Sequence, residues 1–284
     1  MPDDYQLVQL TNGTKTLFSA KYGEKLHPGL GPQAEAELLY VEQLQICERL
    51  CREAGEFVIW DVGLGGAANA VAALRATREI SGQLSLISFD DTTAPLEFAL
   101  SQSSPLAYLT GYEGRVAELL RNRQVSFMNG TLSVNWKFEL GDFPGLMRMA
   151  QNGGVKFPAP HAIFFDAFSP AKNPVMWTLP VFENLFQNLD SDRPCSLTTY
   201  SRSTLVRATL LLAGFFVGTG PATGLKEETT IAANRPALIT KLLDHRWLQR
   251  AQRSDSAEPL RESIYSRAPL QASTWEKLRA HIQF

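Results

Sequence analysis

The chain has 284 residues, a hydrophobic share of 44%, 20% charged residues and a net charge of −2, the make-up of an ordinary soluble globular protein that can bury a substantial core. A charge so close to neutral neither demands nor excludes a nucleic-acid partner, whose phosphates are usually met by a local basic patch. No Pro/Gly/Ser-rich linker divides the sequence, so it reads as a core over 55–240 with an N-terminal extension over 1–54 and a C-terminal helical tail over 241–284.

The N-terminus, Met1-Pro-Asp-Asp-Tyr-Gln, lacks the basic and apolar regions of a signal peptide. The longest apolar stretch, around Thr209 to Val217, is too short for a bilayer and is flanked by Arg207. A cytoplasmic protein without membrane contact is expected. An early extended segment lies near Thr16-Leu-Phe18. Residues 32–54 then carry Leu38, Leu39, Val41, Leu44, Ile46 and Leu50 at helical spacing, and Gly55 ends the helix. Cys47 and Cys51 are four residues apart on it, without the CxxC spacing or histidine partners of a zinc site. With Cys195 they read as free thiols in a reducing compartment, and no metal is expected.

Strands then alternate with helices, which predicts a doubly wound, mostly parallel α/β sheet of about seven strands. A strand over 57–61 leads into a helix over 66–78, and a second strand over 84–89 closes on Asp90-Asp91. Helical segments follow over 95–109 and 114–121. Strands over 125–128 and 132–140 flank Asn129-Gly130, a hairpin signal, and the second ends in Gly141-Asp142. Next come a strand over 161–165, a helix over 176–189, a strand over 195–200 and a helix over 204–213. Segments 215–218 and 228–233 form a final antiparallel pair. Disorder is expected only near 253–259. From Lys241 to Phe284 there are eight Lys/Arg against five Asp/Glu, with Trp247, Tyr265 and Trp275 interleaved. The tail reads as an amphipathic helix packed on the sheet, with an RNA contact surface as the alternative.

Two segments carry the chemistry. Phe57-Val-Ile-Trp-Asp-Val-Gly-Leu-Gly-Gly-Ala67 is a strand ending in a glycine turn that opens a helix, the arrangement that holds a nucleotide-like cofactor. Gly63 and Gly65 suit either a dinucleotide pyrophosphate or S-adenosylmethionine (SAM). Asp61 favours SAM, because an anion suits the ammonium of a methionine moiety and not a pyrophosphate. Asp90 is placed to accept from ribose hydroxyls in either class, and Asp142 to receive the adenine amino group. Each acid alone reads equally well as a helix cap or a solvated turn, but three at successive strand ends favour the cofactor. The second segment, Asp166-Ala-Phe-Ser-Pro-Ala-Lys-Asn-Pro-Val175, places an acid and a bend just where a buried strand ends, the place where open α/β sheets keep their chemistry.

The stretch Asp166 to Trp177 is similar to the DxFxPxxNPxMW signature of the MnmC/MnmD-type tRNA methyltransferases. Gly63-Leu-Gly-Gly-Ala-Ala-Asn69 resembles that family's GFGTGLN. Gly141-Asp142, Thr199-Tyr-Ser201 and Ala213-Gly-Phe215 agree further, and His27-Pro-Gly-Leu-Gly31 followed by Glu35 resembles its H…G…E element. The resemblance runs from about Phe18 to Ala233. It implies a class I SAM-dependent methyltransferase (Rossmann-like) fold, with Glu35 and Asn69 joining the cofactor residues. It also implies methylation of the 5-aminomethyl group of a tRNA wobble uridine, thiolated or not, to 5-methylaminomethyl(-2-thio)uridine. In bifunctional members a flavin-dependent oxidase domain follows, so this chain resembles the stand-alone form, with tRNA as substrate and a separate oxidase in the same pathway.

Two positions depart from the family. Ala67 replaces the third glycine of the turn and would crowd a backbone that needs φ > 0. Gly220 to Glu228 stands where bifunctional members carry a basic run. Methyl transfer to an amine needs the amine aligned and unprotonated, so Asp166 is the candidate proton acceptor, with capping of the Ser169-to-Asn173 turn as its structural alternative. Lys172 and Asn173 are candidates to hold a phosphate or the uracil edge, and Phe168, Trp177 and Tyr200 to stack on an extruded base or to pack the core. Other readings stay open: an aminopropyltransferase using decarboxylated SAM, a catalytically inactive RNA-binding module, and, disfavoured by Asp61, an NAD-dependent dehydrogenase.

Overall fold

The computed structural model describes residues 4–223 and 227–284. Gly224, Leu225 and Lys226, in the segment that departs from the family's basic run, lie outside the described residues.

A small antiparallel sheet opens the chain: β1 (Tyr5–Gln9), β2 (Lys15–Ser19) and β3 (Glu24–Lys25), in that order. Only its middle strand is foreshadowed in the sequence. The single helix expected over 32–54 is three pieces: α1 (Pro32–Ala36), a π turn (Glu37–Glu42) and α2 (Ile46–Arg52). The π turn narrows the angle between successive side chains, so Leu39, Tyr40 and Val41 all point inward. Gln45, at φ +51, then breaks the path before α2.

The main body follows as β4 (Glu56–Val62), α3 (Ala68–Ala76), β5 (Gly82–Asp90), α4 (Ala94–Ser101), α5 (Ser103–Leu106), α6 (Glu113–Asn122), β6 (Gln124–Asn129), β7 (Leu132–Leu140), α7 (Phe143–Gln151) and β8 (Ala162–Phe165). A 3-10 turn (Pro174–Trp177) leads to α8 (Leu179–Gln187), β9 (Ser196–Thr199), α9 (Thr204–Leu212), β10 (Phe216–Gly220), β11 (Thr229–Ala233), α10 (His245–Gln252) and α11 (Ala272–Arg279). Eight strands form one sheet in the order β6-β7-β5-β4-β8-β9-β11-β10. β7, β5, β4, β8 and β9 pair in parallel. β11 is antiparallel to both neighbours, and β6 is an antiparallel edge strand hairpinned to β7 through Asn129-Gly130.

β4, β8 and β9 are apolar along nearly their whole length because both faces of the sheet are covered. One face packs against the π turn, α3, α4 and α6, around Tyr40, Phe57, Trp136 and Phe164. The other packs against α7, α8 and α9 and the C-terminal segment, around Trp60, Phe165, Trp177 and Phe182. Trp247, Leu248, Leu260 and Leu278 belong to that second core. The stretch 253–259, expected to be disordered, is built into the packing: Glu258 is buried and accepts from the Gln271 N–H and the Thr274 hydroxyl.

β4 is followed by β5 on one side and, much later, by β8 on the other. The crevice between the C-terminal ends of β4 and β8 is therefore the switch point of the sheet, where open α/β folds bind ligands.

Candidate active site

At that switch point β4 runs out at Val62 and the chain turns through Gly63 (φ +92), Gly65 (φ +51) and Ala67 (φ +65) before α3 begins. The backbone N–H groups of Gly63 and Leu64 both donate to Phe89 O, at 2.9 and 3.1 Å, and Gly65 N–H donates to Asp90 Oδ2 at 2.9 Å. A Cβ at Gly63 would lie 2.7 Å from the Asp166 carbonyl oxygen. Glycine is required there twice over, by its φ and by the close approach of the loop after β8. Ala67 takes up the left-handed conformation that the family's glycine would have made easy, so the turn forms despite the substitution.

Asp166 sits across the crevice, its side chain 18% exposed. Its Oδ2 accepts from Asn69 Nδ2 at 2.9 Å and lies 3.8 Å from His27 Nε2. The 169–173 turn does not use this carboxylate: its backbone closes on Ser169 O, and Glu24 from β3 accepts from the Ser169 N–H and hydroxyl. His27 is held at φ +52. The loop that carries it is fastened by Glu35, whose Oε1 takes the backbone N–H groups of Gly29, Leu30 and Gly31.

A cleft of about 610 Å³ runs along this edge, lined among others by His27, Glu35, Gly63, Gly65, Asp90, Asp142, Asp166, Phe168, Asn173 and Tyr200. Asp90 keeps Oδ2 on the glycine turn and Oδ1 on the Thr92 N–H, and burial pushes its carboxyl up from the ordinary range. Asp142 is exposed and caps α7 through the Gly145 N–H at 2.9 Å. Here the capping reading holds while the residue still lines the cleft.

Several expected site residues stand elsewhere. Asp61 does not face the cleft: it is 0% exposed, because its side chain points under the glycine turn toward α3 rather than past it. Asn69 is also buried, off the cleft, and reaches it only through Asp166. Trp177 is 0% exposed, packed edge-on against Phe165 with its indole N–H on Phe168 O, so it is a core residue and not a stacking surface. Lys172 is exposed on the outer side of the turn, near Gly23, and does not line the cleft. Phe168 does line it, with Tyr22 stacked on its ring. Tyr200 lines it with its hydroxyl donating to Ala167 O at 2.9 Å. Tyr22 and Glu24 carried no sequence signal. His27 lay within the family's element, but its pairing with Asp166 joins residues remote in sequence.

The cleft suits an adenosyl sulfonium. It falls in the size range of small-ligand sites. Asp90, Asp91, Asp142 and Asp166 face into it against Lys21 and Lys25, a donor set that favours hydroxyls, amines and positive charge over a pyrophosphate. Fold and site together define a class I SAM-dependent methyltransferase. Residues 134–235 match the family described as S-adenosyl-L-methionine-dependent methyltransferase. The chain is further related to the methyltransferase domain of MnmC. It is 27% identical over 229 residues to the tRNA 5-methylaminomethyl-2-thiouridine biosynthesis bifunctional protein MnmC of Cupriavidus necator, covering 77% of this chain and 33% of that protein. The Ralstonia nicotianae MnmC is 28% identical with the same coverage. The chain thus spans about a third of the length of these curated relatives. The crystal structure of MnmC2 from Aquifex aeolicus superposes with a TM-score of 0.71 at 26% identity, over 98% of this chain and 84% of that one.

Proposed function

We propose that this protein methylates the primary amine of a 5-aminomethyl-uridine, thiolated or not, at the wobble position of tRNA. The observation that carries this reading is the Asp166 carboxylate at the cleft wall, held by Asn69, with His27 beside it and the glycine turn in van der Waals contact behind. When bound, SAM supplies an electrophilic methyl on a positively charged sulfur. The chain's own residues then have three tasks. Asp90 and Asp142 hold the ribose hydroxyls and the adenine amino group, and the Gly63–Gly65 turn lets the backbone come close. Asp166 accepts a hydrogen bond from the substrate ammonium at Oδ and takes its proton, which frees the nitrogen lone pair. Asn173 holds the uracil edge, while Phe168 and Tyr200 form the wall against which the base rests.

On this reading the partners are tRNA and a separate flavin-dependent oxidase acting in the same modification, in the cytoplasm. No described helix is long and apolar enough to cross a membrane. The relationship to MnmC supports this substrate over a polyamine. The test is mass spectrometry of nucleosides from tRNA carrying 5-aminomethyl-uridine, incubated with SAM and either wild type or Asp166→Ala. Wild type yields the methylated nucleoside; Asp166→Ala binds SAM and yields none. A folded, SAM-binding wild type that transfers no methyl to this tRNA removes the reading.

A further inference from the structure

Beneath the glycine turn lies a row of buried polar groups that the mechanism above does not use. Trp136 Nε1–H on β7 donates to Ser88 Oγ at 2.9 Å, and the Ser88 hydroxyl on β5 donates to Asp61 Oδ2 at 2.9 Å. Asp61 and Asn69 are within hydrogen-bonding reach of each other, and Asn69 Nδ2 goes on to Asp166. Oδ1 of Asp61 and Oδ1 of Asn69 are both fully buried and both lack a hydrogen-bond partner. Two buried acceptors left without a donor cost about 1–3 kcal/mol each. A single proton on Asp61 Oδ1, given to Asn69 Oδ1, satisfies both.

We propose that Asp61 is a neutral carboxylic acid that donates to Asn69 Oδ1, turns the amide nitrogen of Asn69 toward Asp166, and leaves Asp166 as the anion that faces the cleft. Asp61 and Asn69 are thus positioning residues acting through Asp166, and this rests on the proposed role of Asp166. The surroundings agree. The titratable groups facing Asp61 are Asp166 beyond β8, Asp90 at the end of β5 and Tyr40 in the π turn, two acids and a phenol. Burial pushes the Asp61 carboxyl up to about 8, the nearby acids adding to it and the Ser88 hydroxyl opposing it. An ionised Asp61 would set two carboxylates against one amide group with no cation between them among the described contacts. In the neutral form the hydrogen bonds run in one direction, from Asp61 through Asn69 to Asp166.

The sequence suggests the opposite role, an Asp61 anion holding the cofactor's ammonium, and two substitutions separate the two. Asp61→Ala removes the donor and lowers kcat by about tenfold to a hundredfold through misplacement of Asp166. Asp61→Asn restores the donor without the charge and rescues kcat, with the ratio of Asp61→Asn to wild type rising as pH passes about 8. An Asp61→Asn variant as impaired as Asp61→Ala, with its loss in SAM affinity, overturns the proposal in favour of the ammonium contact. A second readout needs neither SAM nor tRNA. Infrared difference spectra of the free protein at neutral pH show a protonated carboxyl C=O band in wild type that Asp61→Asn lacks; absence of that band in folded wild type also overturns the proposal. Failure of tRNA methylation in wild type would strike the functional reading alone and leave the infrared result standing.

Discussion

Tyr22 stacks on Phe168, ring centroids 4.1 Å apart and 21° from parallel. Tyr22 stands just ahead of β3 and Phe168 just after β8, so the pair joins the N-terminal sheet to the loop that carries Asp166. Glu24 makes the same join through the Ser169 N–H and hydroxyl. The N-terminal sheet is therefore a wall of the cleft, and its stacked pair sets where Phe168 lies. Tyr22→Ala is expected to cost about 0.5–1.5 kcal/mol beyond the lost burial. In kinetics it should raise KM for tRNA more than the affinity constant for SAM, because the methionine and ribose side of the cleft is built by other elements. Calorimetric SAM binding together with steady-state methyl transfer reads both. An equal loss in both constants would show that Tyr22 holds the whole cleft rather than its substrate side.

Ala67 lies at φ +65 with its methyl buried in the core. Three effects compete when it is replaced by glycine: release of left-handed strain of about 1–2 kcal/mol, a greater entropy loss on folding of about 0.4–1 kcal/mol, and loss of about 0.8 kcal/mol of methyl burial. They nearly cancel, so Ala67→Gly should leave stability within about 0.5 kcal/mol of wild type by those same magnitudes. Ala67→Val adds a β-branch to a left-handed buried site and should cost at least about 2 kcal/mol. Urea denaturation of the two variants checks this, and a glycine variant several kcal/mol more stable would mean that the strain term dominates.

Asp90 has one oxygen on the Gly65 N–H and the other on the Thr92 N–H while lining the cleft. As the proposed ribose acceptor it couples cofactor and glycine turn. Asp90→Ala removes hydrogen bonds to a charged group, each worth about 1.5–3 kcal/mol, so the SAM dissociation constant should rise roughly tenfold to a hundredfold. KM for tRNA should stay unchanged. A variant that binds SAM as wild type does would place the ribose elsewhere.

Much of this site was legible in the sequence because its signals are local. A continuous apolar run such as Phe57 to Trp60 followed by Gly63 and Gly65 can only be a buried strand feeding a tight turn, and Asp166 after Ile163-Phe-Phe165 is a strand-end acid by its position alone. What was not legible depends on which way a side chain points. In a strand covered on both faces there is no alternation between exposed and buried positions to say whether Asp61 reaches the cleft or the underside of the turn. Trp177 reads equally as a stacking ring or a core ring for the same reason. The pairing of Glu24 with Ser169 spans 145 residues, and no local pattern announces it. The π turn escaped because Leu39, Tyr40 and Val41 still fit a helical apolar stripe when read without their neighbours in space.

His161 governs the acid limit of the fold, at the end of the sheet away from the cleft. Its ring is stacked on Phe57 at 4.6 Å, Nδ1 accepts from the Val58 N–H at 2.9 Å, and Nε2 faces Glu53 Oε2 at 3.2 Å. The neutral tautomer with its proton on Nε2 satisfies both bonds. Burial pushes its pKa down to about 4, with Arg193 and Arg49 adding positive charge nearby and Glu53 opposing them. In the unfolded chain an imidazole takes up its proton near pH 6.5, so below that pH the unfolded state binds a proton that the folded state refuses. The stability this residue confers is therefore fully present above about pH 6.5 and is lost as pH falls toward about 4. His161→Gln keeps an acceptor for Val58 and a donor for Glu53 but cannot titrate. The difference in Tm between wild type and His161→Gln, followed from pH 7.5 to pH 4 by thermal melting, should swing against the wild type below about pH 6.5. A difference that stays flat across the range would show that His161 is charged in the native state.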